Sequence, residues 1–397
     1  MGPRQLQSQI HSDYSSESSV WESYRTGISD LYSSAYRKDD YNSHLIREYN
    51  KKIDRLNQLT GLFITPFDAG YSFIGTTILP PIGVNYISGF AFPQQTLYAP
   101  TGSSYTWKIN DIVTGSGSSF VPAVYDIGKT VSCLVDETTY STVVWHPNQI
   151  SAVKAFWWAY SGAYNQSNAL CSDEEVVDQW RDSIGNAIAQ PGEGTLANMA
   201  SYEASDIYTP SLQHDITDYE KVNATSENIF DAVRNAYCFI GAKDVDPTTG
   251  NAEHCLFSCN NTATLNDIKL SFGTRKSAAS KFYINAKKTD GTLVTLTGSN
   301  SNSNYNVLTA EVLFADSAAN LRVNGQYDVT GFLNGSSQVA GNSTSMYINK
   351  AASSLTTGPS YITTVILAAG NQKISDTDRN RIERFIGLLG NVDVPLI

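Results

Sequence analysis

The 397-residue sequence is short of charge: Asp, Glu, Lys and Arg make up 16% of it, against roughly a quarter in ordinary soluble domains. What charge there is leans acidic, with 27 basic and 38 acidic residues and a formal net charge of −11. That balance argues against a basic face for nucleic acid or for an anionic membrane. Five cysteines, Cys133, Cys171, Cys238, Cys255 and Cys259, are an odd and scattered set, too sparse for a disulfide scaffold. Free thiols formed in a reducing cytoplasm are expected. No apolar run reaches the length of a membrane-spanning helix, and the polar, Ser-rich start has no signal-peptide pattern, so neither membrane insertion nor the usual export route is expected. There is no Gly-x-Gly-x-x-Gly loop. Gly128-Lys129-Thr130 resembles the end of a phosphate loop, but Ala123 stands where the first glycine belongs, which leaves a strand. Five histidines in no triad order give no basis for a nucleophilic site.

Ser, Thr, Asn, Gly and 23 tyrosines fill the surface instead. Residues 1–18 form a polar arm without period. Trp21, Tyr24, Ile28, Leu31 and Ala35, then Ile46, Tyr49, Ile53, Leu56 and Thr60, follow 3-4 spacing and predict two short helices. Each is too short to stand alone as a coiled coil. The stripe is expected to pack on other copies or on a docking surface, or else, as a hairpin, on the chain's own β-domains. From Gly61 the pattern turns to short apolar runs broken by Pro66, Pro80, Pro81 and Pro93, which favours edge strands and turns.

Further strands recur every 8–15 residues with no helix between them, the expectation for a sandwich. Lys281–Lys288 returns through Asp290-Gly291, and Leu321–Gln326 carries the turn dipeptide Asn324-Gly325. Tyr361–Leu367 reads as a core strand. The helix after it has a capping box at Ser375 and Asp378, an apolar face of Ile382, Phe385, Ile386 and Leu389, and Gly390 as its C-terminal cap. Arg379, Arg381, Glu383 and Arg384 are expected on its solvated face.

Two resemblances enter here. Tyr105-Thr-Trp107-Lys-Ile-Asn110 followed by Asp126-Ile-Gly128-Lys129-Thr-Val131 resembles the last strands of bacterial and phage immunoglobulin-like modules. Trp107 would then be the core ring, with Val131, Cys133 and Val135 pointing inward. The apolar run Ala155–Tyr160 (AFWWAY), the element Gln179-Trp180-Arg181-Asp182-Ser183-Ile184-Gly185-Asn186 and the closing strand with Ser375-Asp-x-Asp378-Arg379 together resemble concanavalin A-like (laminin-G-like) jelly-roll domains of bacteriophage structural proteins. Such relatives often carry a Glu before the final strand, where this chain has Thr363 and Thr364, so no role of that Glu transfers.

The expected fold class is mainly β: a helical attachment and oligomerisation arm (1–62), an immunoglobulin-like β-sandwich (64–142) and a concanavalin A-like jelly roll (144–397) ending in a short helix. The resemblance implies a virion protein, synthesised in the host cytoplasm, of tail- or head-fibre, spike or decoration type. It would be trimeric, joined to other virion proteins through Trp21, Tyr24, Ile28, Leu31, Ile46, Tyr49, Ile53 and Leu56, and able to meet host surface polysaccharide. A purely structural joint or decoration protein, and a polysaccharide-degrading enzyme on the same sandwich, are the alternatives.

Against the enzyme stands the absence of a Glu-x-Asp-x-Glu strand: Asp215, Asp218 and Glu220 are misspaced, and Asp173, Glu174, Glu175, Asp178 and Asp182 read as solvated loop charge. Asp244-Val-Asp246 to Asn251 reads as a hairpin turn rather than a calcium loop. His254, Cys255 and Cys259 are too far apart along a strand to share a metal, so no metal and no cofactor is expected. Trp157, Trp158, Tyr160 and Tyr164 remain as rings for stacking on sugars, although AFWWAY reads equally as core strand.

Overall fold

The structure, a computed structural model, describes residues 72–74, 77–79, 86–185, 187–191, 200–204, 209–215, 217–223, 229–244, 253–260, 268–275, 281–301, 304–340, 345–350 and 359–395. The arm, 1–62, lies outside them. The protein is mainly β, and the chain divides into two compact units that meet in sequence at His146 and Pro147.

In the first unit an antiparallel sheet runs in the order Ile112–Ser116, Tyr105–Ile109, Thr130–Val135, Thr138–Val143. Asn110 and Asp111, both at positive φ, make the turn of its first hairpin. Thr130–Val135 buries every second residue, and Val131, Cys133 and Val135 close around the fully buried Trp107 with Leu97, Ala99 and Val144. The indole meets its polar need by donating to the Gly117 carbonyl at 2.8 Å and lies 5.4 Å from the Phe120 ring.

The second unit is a sandwich of two antiparallel sheets. One runs Ala163–Tyr164, Gln179–Arg181, Ile188–Pro191, Glu220–Val222, Ser345–Ile348, Glu253–Asn260, Ile268–Arg275, Lys281–Ala286, Val294–Ser301. The other runs Ser201–Glu203, Ser211–His214, Ser360–Gly370, Asn235–Asp244, Tyr305–Leu313, Ala318–Val323, Gln326–Phe332, with Val153–Trp158 also paired to Ser360–Gly370. Cys238, Ile240, Val365 and Leu367 from this sheet meet Phe257, Cys259, Phe272 and Ile284 from the first. The turn after Val323 has Asn324 at φ 50° and Gly325 at φ 79°, the left-handed pair that a two-residue hairpin needs.

Ser360–Gly370 is buried on both faces because the helix Asp376–Leu389 covers the outer one. Ser375 Oγ accepts from Asp378 N at 3.0 Å, starting the helix, and Gly390 ends it. Phe385 sits edge-on to Phe156 and Trp158 at 5.8 and 6.0 Å. Tyr305 fits between Gly241 and Gly390, where a Cβ would collide with its hydroxyl and ring, and its hydroxyl hydrogen-bonds Thr363 Oγ1 at 2.6 Å.

One expectation is overturned here. Arg379 and Glu383 are buried rather than solvated, and Arg381 and Arg384 are half-buried. The sheet beneath carries matching polar groups: Arg322 donates to both oxygens of Glu383 at 2.8 and 3.1 Å, Thr309 Oγ1 donates to Glu383 at 2.9 Å, and Arg379 donates to Glu311 at 2.8 Å. The helix therefore docks through an apolar face and an ionic one side by side.

Candidate functional site

AFWWAY is a strand whose two faces are both covered. Ala155 and Trp157 point into the sandwich core, while Phe156 and Trp158 point under the closing helix. Trp157 is fully buried and Trp158 is 5% exposed, so neither ring offers a face to a sugar, and their assignment as stacking residues is corrected. Tyr160, which follows, is 42% exposed with its ring 5.0 Å from Trp158. Tyr164 is half-buried on the edge strand Ala163–Tyr164. The anchoring residues Trp21, Tyr24, Ile28, Leu31, Ile46, Tyr49, Ile53 and Leu56 lie outside the described residues.

The Gln179-Trp180-Arg181-Asp182 element positions this surface. Trp180 pairs with Ala163 and turns inward to full burial, which sends Gln179 and Arg181 to the opposite face of the strand. Gly162 permits the close packing, since a Cβ there would lie 2.5 Å from the Arg181 carbonyl and 3.1 Å from the Trp180 ring. Asp182 fastens the turn by accepting from Phe156 N at 2.6 Å, Ile184 N at 2.9 Å and Gly185 N at 2.6 Å. Arg181 lies over Tyr164, its guanidinium carbon 4.0 Å from the ring centroid. Sequence reasoning used Arg181 as part of a fold motif and missed it as a surface group; its i+2 spacing from Gln179, flanking an inward Trp, is the signal that marks it.

The acidic cluster does not converge on a reacting position. Asp173 accepts from Ala204 N at 2.7 Å, and Glu175 accepts from Ser172 N at 2.8 Å and Asn165 Nδ2 at 2.6 Å. Those bonds, the Ser172 backbone N–H first, hold the Glu175 carboxyl below its ordinary range. These carboxylates are loop fasteners. Burial, together with the neighbouring charges of Glu175 and Asp178, pushes the Cys171 thiol up to about 12, so it is a poor nucleophile. All five cysteines are free.

Sequence reasoning also missed a buried acid–base pair. His214 Nε2 lies 2.7 Å from Glu220 Oε2, with the two side chains 0% and 3% exposed. Burial raises the nearby Asp218 carboxyl, chiefly by desolvation. The pair joins the strand Ser211–His214 of one sheet to Glu220–Val222 of the other, and its burial gives no path to a substrate, so its role is to hold the sheets together. No sequence signal marks it, because the partners meet by a crossover between sheets. His254 Nε2 bonds Asn349 Oδ1 at 2.8 Å, and Cys255 Sγ donates to the Phe257 carbonyl at 3.1 Å. Among the described residues no three His, Cys, Asp or Glu side chains are placed to hold a metal ion. Residues 245–251 of the Asp244 to Asn251 turn lie outside the described residues.

No protein-family model matches this chain, and neither does any curated protein. Among solved structures, the ligand-binding domain of botulinum neurotoxin serotype D in complex with N-acetylneuraminic acid aligns at TM-score 0.41 and 13% identity, over 60% of this chain and 52% of that one. The receptor-binding domain of botulinum neurotoxin C/D mosaic aligns at TM-score 0.41 and 12% identity, over 59% and 51%. Trypanosoma rangeli sialidase in complex with the inhibitor DANA aligns at TM-score 0.39 and 10% identity, over 59% and 32%. The chain spans about half the length of the toxin structures and a third of the sialidase. Likeness of this degree carries neither a fold nor a ligand over to this chain.

Proposed function

We propose that this chain is a non-enzymatic structural protein of a bacteriophage virion, a fibre or spike that attaches through its N-terminal arm, assembles as a trimer and displays a carbohydrate-binding sandwich to the host surface. The phage assignment rests on the two sequence resemblances and on a charge-poor surface rich in Ser, Thr, Asn and Tyr. The binding assignment rests on one observation: Arg181 lies over the Tyr164 ring, an aromatic and hydrogen-bonding surface on the second unit, while the carboxylates of Asp173, Glu175 and Asp182 are committed to backbone N–H groups. Aromatic faces and planar donors suit sugar rings, whose C–H patches stack and whose hydroxyls accept. Carboxylates held as ions by loop amides are poorly suited to deliver a proton to a glycosidic oxygen. Among the described residues no helix is long and apolar enough to cross a membrane.

Single sites of this sort bind weakly, and three linked copies raise the effective concentration. The test is to present the full chain to host surface polysaccharide, following binding by surface-immobilised polymer and cleavage by release of reducing ends. Binding without release supports the proposal. Released reducing ends would make the chain an enzyme, and no binding by the assembled protein would leave a purely structural module.

A further inference from the structure

The surface around Tyr164 carries a cation, Arg181, that has no ion-pair partner among the described residues. Arg181 Nε and Nη2 donate to Gln179 Oε1 at 3.0 and 2.8 Å, and Nη2 also donates to Asn168 Oδ1. Both acceptors are neutral amides. Nη1, which holds two of the five guanidinium N–H donors, has no partner among the described residues. Acidic residues lie close in sequence, yet Glu175 is turned to Asn165 and Ser172, and Asp182 to the backbone of its own turn and of Phe156. Elsewhere in this unit, Arg322 and Arg379 each receive a carboxylate. Arg181 is instead oriented by amides and stacked on a tyrosine, which fixes its plane while leaving its charge uncompensated.

We infer that Arg181 is a receptor for the carboxylate of an acidic sugar, such as a uronate, docking at its Nη1 edge beside Tyr164. The inference rests on the glycan-binding reading above and names its ligand class. A guanidinium already held by Tyr164, Gln179 and Asn168 gives up little further freedom on binding, so more of each new contact appears as affinity. Two N–H donors aimed at a carboxylate make charge-assisted bonds, roughly twice as strong as those to a neutral hydroxyl. A neutral sugar at the same place would leave the charge unanswered.

Methyl glucuronide and methyl glucoside differ only in the carboxylate, and both are to be titrated into the full chain by ligand-observed NMR at low salt. The expected result is a preference of about tenfold for the glucuronide in the wild type. Arg181→Gln should remove that preference with Tm little changed, and Arg181→Lys, which keeps charge but loses the planar fork, should keep part of it. Equal binding of both sugars by the wild type, or a preference that survives Arg181→Gln, would overturn the inference while leaving the glycan-binding reading in place. If neither sugar binds at up to about 50 mM, a range that covers very weak sites, the inference is overturned, and the polysaccharide experiment above decides the glycan-binding reading by itself.

Discussion

The buried charge under the closing helix makes the sharpest stability prediction. Glu383 receives two hydrogen bonds from Arg322 and one from Thr309, and the Arg322–Glu383 side chains are 2% and 0% exposed. Glu383→Ala removes the anion and leaves Arg322 under the helix with the Gly325 carbonyl and the Tyr327 ring as its remaining partners. Breaking a buried pair on one side costs about 3–5 kcal/mol, and the stranded Thr309 hydroxyl falls within that range. Taking about 4 kcal/mol, and 2–4 °C per kcal/mol for a domain of this size, Tm of the second unit should fall by roughly 8–16 °C. Calorimetry of the full chain would follow it, since two units can melt separately. The double variant Glu383→Leu with Arg322→Leu removes both charges and should recover much of the loss, because the penalty lies in the unpaired ion. A single variant within about 1 kcal/mol of wild type, or a double variant worse than the single, would refute the reasoning.

Trp180→Ala empties a fully buried site and should cost about 3–5 kcal/mol, lowering Tm of the second unit without a selective loss of ligand; a folded variant that has lost only binding would place Trp180 in the site. Asp290 accepts from Ser336 and Ser337, which hold its carboxyl well below the usual range, so it contributes stability above the unfolded carboxylate pKa that is lost as pH falls through the folded one. Asp290→Asn should therefore be less stable than wild type at pH 7, with the gap narrowing below about pH 4; a gap that does not change with pH in chemical denaturation would count against the staple. Removing residues 1–62 should leave both β units folded by circular dichroism and abolish incorporation into particles, and normal assembly of the truncated chain would give the arm another role.

Short-range signals in the sequence carried well into the structure. Asn324-Gly325 turns where hairpin chemistry requires, Ser375 and Gly390 bound the closing helix, and Val131, Cys133 and Val135 alternate inward around Trp107, whereas Asp290-Gly291 lies inside the longer loop between Ala286 and Val294 with neither residue at positive φ. Each depends on neighbours in the chain. What could not be read depends on what a distant strand presents. A helical wheel places Arg379 and Glu383 on a polar face, but burial was decided by Glu311 and Arg322, which lie 68 and 61 residues away. AFWWAY was ambiguous for the same reason: an apolar strand shows its rings to solvent or not according to what covers its second face, and here the closing helix does. His214 and Glu220 meet through a crossover between sheets, which leaves no periodic trace.

The scarcity of charge acquires a physical meaning from how the carboxylates are spent. Asp136 Oδ1 accepts from the backbone N–H groups of Ser103 and Ser104 at 3.1 and 2.9 Å, and Asp328 Oδ1 accepts from those of Ser299 and Asn300, both at 2.9 Å. Asp290 treats Ser336 and Ser337 in the same way at 3.1 and 2.8 Å. In each case one aspartate gathers two successive N–H groups from a Ser-containing segment 28 or more residues away. Asp328 thereby ties Gln326–Phe332, an edge of one sheet, to Val294–Ser301, an edge of the other, and helps close edges that would otherwise invite pairing with a second chain. Charge-assisted bonds to backbone N–H are well suited to that task. A chain whose acids serve as fasteners has correspondingly few to use as proton donors, nucleophiles or ligands for cations. On the proposed reading, recognition falls to groups not so committed, Tyr164 and an arginine held by neutral amides, which would bind a saccharide without breaking it.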